Sequence, residues 1–122
     1  MCDAAKCTPE VEVCGLVFGT YDRITDLAQC GNVAADPRRT FELDPAALFA
    51  ALRAERGGGP ALLGYWHSHP SGDVRPSATD AARAAADGKI WLIVAGDLVG
   101  GWQAVPADGG GTLFAAVTLH VI

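Results

Sequence analysis

The chain has 122 residues, half of them hydrophobic, a formal net charge of -5 and four cysteines. That size and composition fit one globular domain over residues 1–122 and exclude a disordered chain or two ordinary domains. The acidic balance and the scattered Lys and Arg residues argue against nucleic-acid binding, and no apolar run approaches the roughly 20 residues that span a bilayer.

Residues 1–8 form a short N-terminal segment ahead of Pro9, with no signal-peptide core, so a cytoplasmic protein is expected. Cys2 and Cys7 lie there without a partner pair at metal-ligand spacing. Val11–Phe18 is apolar and β-branched and reads as the first strand, ended by Gly19. Cys14 within it reads as a small buried hydrophobe, which makes a Cys-His nucleophile a poor alternative. Tyr21-Asp22-Arg23 is a turn, and Ile24–Cys30 a polar-alternating strand antiparallel to the first. A loop follows over residues 32–40, then a short extended piece at Phe41 and Leu43.

Asp44-Pro45 is a helix start, with Asp as N-cap and Pro at the first helical position. Leu48, Phe49 and Leu52 share one face of that helix, which stops at Gly57-Gly58-Gly59-Pro60. Ala61–His69 is a near-continuous apolar run and reads as a central strand. Pro70–Pro76 is a loop, and Ser77–Ala86 a second helix. Strands follow at Ile90–Ala95, Gly101–Val105 and Thr112–Ile122, with turns at Gly96-Asp97 and Asp108–Gly111. Strands and helices mix without strict alternation. The expected fold is therefore α+β, a mixed and mainly antiparallel sheet flanked by helices.

The chemistry concentrates in His67-Ser68-His69 and the residues after it. Histidines two apart on a strand point to one face, so both imidazoles can reach one ion. Asp80, at the start of the second helix, adds a carboxylate. Two nitrogens and one carboxylate oxygen suit zinc with an open fourth position. Ser77-Ala78-Thr79-Asp80 also reads as a helix cap, and the two readings can coexist. His120 has no partner at metal-ligand spacing. Asp73 and Arg75 fit a substrate contact and a plain turn equally well.

His-x-His, seven residues, Ser, two residues and Asp resembles the signature of the JAMM (MPN+) metalloprotease family, including Ser68 and Pro70. Such a set at fixed offsets arises by chance on the order of once in 10^5 chains of this length. Glu12-Val13-Cys14-Gly15-Leu16-Val17-Phe18-Gly19 resembles the family's Glu-bearing segment, and Asn32, Asp36-Pro37 and Trp91-Leu92-Ile93-Val94 resemble its small prokaryotic branch. Glu10 would share a strand face with Glu12; the Cys-Gly spacing selects Glu12. The layered architecture is a distant cousin of the cytidine deaminases, but the chain has no Pro-Cys-x-x-Cys.

The resemblance implies one zinc ion per chain on His67, His69 and Asp80, with water as fourth ligand. It implies Glu12 as the base that takes and returns that water's proton, and Ser77 as the donor to the substrate carbonyl. The implied activity is that of a metallopeptidase or isopeptidase cutting after the C-terminal Gly-Gly of a ubiquitin-like or sulfur-carrier protein. The alternative is a non-catalytic MPN scaffold that binds protein partners; zinc near one per chain separates the two. Family members often begin with a longer helix on the sheet, so a homodimer covering that face is plausible.

Overall fold

The computed structural model describes residues 12–20, 23–36, 41–70 and 72–119. Among these, six strands and two helices run in the order β1 (Cys14–Thr20), β2 (Arg23–Cys30), α1 (Pro45–Arg56), β3 (Ala61–Ser68), α2 (Ala78–Arg83), β4 (Ile90–Ala95), β5 (Leu98–Pro106) and β6 (Thr112–Val117). They form one sheet of order β2-β1-β3-β4-β5-β6. Every neighbouring pair is antiparallel except β3 and β4. The fold is α+β with a mixed sheet, as expected. No helix among the described residues is long and apolar enough to cross a membrane.

The single parallel pair matters most. Parallel neighbours need a crossover, and here it runs from the C-terminal end of β3 through a loop and α2. The motif residues run from the end of β3 into that crossover. Its close approach depends on Gly64, where a Cβ would fall 1.8 Å from the Ile90 carbonyl oxygen and 2.7 Å from the Ile90 nitrogen. Gly64→Ala should therefore cost on the order of 3 kcal/mol or more of stability. A urea midpoint giving a loss below about 1 kcal/mol would contradict this close contact.

α1 forms because Asp44 caps it, accepting from the Ala46 N–H, and Pro45 fills its first turn. Its apolar face meets Leu16, Leu62 and Tyr65 through Ala51, Leu48 and Leu52. A second cluster holds Val13, Val17, Trp66, Leu92 and Val94.

Several expected boundaries shift. β1 begins at Cys14 and passes through Gly19, which pairs with Ala61 and Ile24. A Cβ there would lie 2.0 Å from the Arg23 carbonyl oxygen, so Gly19 admits a close neighbour rather than ending the strand. β5 begins at Leu98, because Gly96-Asp97 is a two-residue hairpin turn with Ala95 opposite Leu98. Gly100 therefore joins the expected Gly101 as a strand residue. α2 stops at Arg83, and the following Ala84 is extended, its carbonyl taken by the Thr112 hydroxyl at 2.7 Å. β6 ends at Val117 instead of Ile122. Cys2, Cys7, Glu10, Tyr21, Asp22, Pro37 and His120 lie outside the described residues.

Candidate metal centre

β3 delivers His67 and the chain just beyond it delivers His69, whose N–H donates to the Val94 carbonyl at 2.8 Å. α2 delivers Asp80 on its first turn. Ser77 caps that helix by accepting from the Asp80 N–H at 3.0 Å, while its own N–H donates to Asp80 Oδ2 at 2.9 Å. This reciprocal cap fixes the carboxylate. Ser77 thus caps the helix while its hydroxyl hydrogen stays available to donate.

His67 Nε2 and His69 Nε2 lie 3.0 Å apart, and they stand 3.2 and 3.0 Å from Asp80 Oδ2. The three atoms make a nearly equilateral triangle. A tetrahedral ion with arms of about 2.0–2.1 Å has ligand–ligand edges of about 3.3 Å, close to these sides. Glu12 joins them: one atom from each of Glu12, His67, His69 and Asp80 lies within 4.8 Å of the others, and all four residues are buried. Glu12 Oε1 is 3.9 Å from His67 Nε2 and, like His67 Nδ1, has no hydrogen-bond partner among the described residues.

The donor set fits a cation for a further reason. His69 Nδ1 lies 2.7 Å from the Asp73 carbonyl oxygen, an acceptor only, so Nδ1 carries the hydrogen. In neutral His69, Nε2 is then a lone pair aimed at Asp80 Oδ2. Two acceptors at 3.0 Å repel unless a proton or a metal ion lies between them.

The electrostatics follow from that geometry. Burial alone would raise Asp80, but contacts to both imidazoles and the Ser77 N–H hold its carboxyl far below the usual range. Burial lowers His67. Burial also opposes charge on His69, but Asp80 and the Asp73 carbonyl outweigh it and raise the group above its ordinary 6.5. Burial pushes Glu12 up to about 7 against the opposing charge of His69.

His69 is therefore where protons compete with a metal first. Metal retention should be full at pH 8 and fall progressively toward pH 5 as His69 takes up a proton. Metal content after desalting across pH 8 to 5 reads this directly; full retention at pH 5 would contradict it.

Several supporting residues carried little or no sequence signal. Phe41 stacks on His67 with ring centroids 4.2 Å apart, and Trp91 meets both rings edge-on. Ser68 Oγ accepts from the Val13 N–H, and the Ser68 N–H donates to the Val13 carbonyl, both at 2.9 Å. Asn32 donates to the Glu12 carbonyl at 2.7 Å. Together Ser68 and Asn32 hold the Glu12–Val13 peptide and the Val13 carbonyl, the backbone just after the Glu12 side chain. Their positions in the resembled motifs were the only advance signal. Asp73 and Arg75 pair with each other, with Nη2 2.9 Å from Oδ2. Cys14 is fully buried and its thiol is pushed up to about 12, which disposes of a Cys-His nucleophile.

The family described as prokaryotic homologs of the JAB domain matches residues 1–108. The chain belongs to this family. The "Desampylase" of Haloferax volcanii is 40% identical over 97 residues, 78% of this chain and 70% of that protein. The "Desampylase" of Pyrococcus furiosus is 33% identical over 84 residues, 69% of this chain and 59% of that protein. A Thermus thermophilus protein named "Probable TtuB-protein conjugate cleaving protease" is 42% identical over 53 residues, 43% of this chain and 36% of that protein. For these last two, the match spans less than two thirds of the relative. The solution structure of a Desulfitobacterium hafniense protein superposes with a TM-score of 0.73 at 26% identity, covering 96% of this chain and 83% of that one.

Proposed function

We propose that this JAB-family chain is a zinc-dependent isopeptidase. Its substrate class is an amide bond after the C-terminal Gly-Gly of a ubiquitin-like or sulfur-carrier protein. The observation that carries the reading is the buried set of Glu12, His67, His69 and Asp80 with converging donor atoms. The names of the Haloferax, Pyrococcus and Thermus relatives support the substrate class.

His67, His69 and Asp80 would hold the ion, since two imidazoles and one carboxylate leave a tetrahedral position open. Zinc, when bound, supplies Lewis acidity and makes water a stronger acid. Glu12 Oε1, with no hydrogen-bond partner among the described residues, acts as the base: it takes a proton from the attacking water and returns it to the leaving amine. Burial raises this carboxyl above the ordinary range and so makes it a stronger base toward the water. Ser77, with its oxygen engaged by the Asp80 N–H, donates its hydroxyl hydrogen to the developing oxyanion.

The test incubates zinc-loaded protein with small sulfur-carrier proteins extended past Gly-Gly and follows products by mass spectrometry. Release of the carrier ending in Gly-Gly is the expected result. Zinc at one per chain with no cleavage of any extended carrier would overturn the substrate assignment. A folded chain that takes up no zinc would favour the scaffold.

A further inference from the structure

The 72–76 loop is pinned to its surroundings at two places. The Asp73 carbonyl accepts from His69 Nδ1–H at 2.7 Å. One residue later, the Val74 carbonyl accepts from the Trp102 indole N–H at 2.9 Å. Within the loop itself, Asp73 and Arg75 form an exposed ion pair.

Trp102 lies on β5, opposite Trp91 of β4 and 35 residues beyond His67. The space it reaches across exists because residue 100 is Gly. A Cβ there would fall 2.5 Å from the Val74 carbonyl oxygen and 3.0 Å from Trp102 Nε1. β5 thus carries both a donor and a vacancy for the same carbonyl. A half-buried indole N–H spent on a loop carbonyl is a specific arrangement, since buried indole donors are costly to leave unpaired.

We propose that Trp102, seated over Gly100, is a positioning residue for His69. By holding the Val74 carbonyl it keeps the adjoining Asp73 carbonyl on His69 Nδ1. That contact selects the tautomer whose Nε2 lone pair enters the donor triangle. The inference rests on the metal-centre reading but not on the substrate. Trp102 touches neither the metal ligands' donor atoms nor the reacting groups; it acts through the loop. The exposed Asp73–Arg75 pair is a weak competitor for this role, because solvent-exposed ion pairs contribute little.

Trp102→Phe removes the donor and keeps an aromatic ring. Zinc affinity is read by chelator competition, and the His69 tautomer by ring 15N shifts of the metal-free protein at pH 8. The expected result is about tenfold weaker zinc binding, at the low end for partners beyond the direct ligands. His69 should at the same time change from one Nδ1–H tautomer to a mixture. Gly100→Ala, which displaces the same carbonyl without touching Trp102, should reproduce both changes. The double variant should be little worse than either single one. Arg75→Ala should leave affinity within about threefold of wild type.

Zinc affinity within twofold of wild type would overturn the proposal, as would weakened binding with an unchanged His69 tautomer. If Trp102→Phe fails to fold, Gly100→Ala decides by the same two readouts. Neither readout depends on hydrolysis, so failure to find a cleavable carrier leaves this inference standing.

Discussion

Glu12→Gln is expected to keep its zinc and lose about 10^2- to 10^4-fold in kcat, the span assigned to a positioned acid–base group. Glu12 is 3% exposed, and its Oε1 faces His67 Nε2 at 3.9 Å without a hydrogen-bond partner among the described residues. Gln preserves the shape and removes the proton acceptor. Steady-state kinetics with metal analysis on the same preparation separate a lost base from a lost ion. Normal turnover with full zinc would remove Glu12 from its proposed role.

In metal-free protein the same substitution acts on stability with a definite sign. Burial raises Glu12 from 4.5 to about 7. A carboxyl raised in the folded state favours folding fully below its unfolded value and loses that contribution as pH climbs through the folded value. Gln has no such dependence. The variant should therefore exceed wild type at pH 8 by on the order of 2–3 kcal/mol, with the gap closing near pH 4.5. Urea unfolding in the presence of chelator measures both ends. Equal stability at pH 8 would show that the buried carboxylate carries no such penalty.

His67→Ala is expected to damage two properties at once. His67 is fully buried, stacked on Phe41 and edge-on to Trp91, as well as being part of the donor triangle. Losing one donor should weaken metal binding by on the order of 10^2- to 10^3-fold, about a quarter of the 10–16 kcal/mol reported for four-ligand zinc sites. The cavity should cost metal-free protein about 2–4 kcal/mol. His69→Ala should weaken metal binding comparably with a smaller stability loss, because His69 retains 9% exposure and lies beyond the strand. Equal metal-free stability of the two variants would mean that His67 serves only as a ligand and not as part of the core.

The donor set was legible in the chain because its determinants are local. His67 and His69 share a face through the period of an extended chain. Asp80 comes to them because Ser77 and Asp80 form a helix cap that short-range sequence specifies. The Asp44-Pro45 start of α1 and the apolar β3 and β4 were readable for the same reason. Element ends were less so. The sequence reading starts β5 at Gly101, yet it begins at Leu98, and Gly100 and Gly101 are strand positions that admit Val74 and Leu119. α2 ends early where Ala84 meets Thr112, 28 residues away.

Spacing along the chain was thus enough to pick out the residues that the fold brings together as a candidate centre. How each side chain is aimed depends on long-range pairing instead. Glu12 is placed by Ser68 and Asn32, which lie 55 residues from Val13 and 20 from Glu12. The ring of His67 is set by Phe41 and Trp91, and the tautomer of His69 by a loop that Trp102 holds. Residue spacing selects a face, but the orientation of a ring and the location of its proton depend on partners from distant strands. Those partners meet only once β1, β3, β4 and β5 are paired.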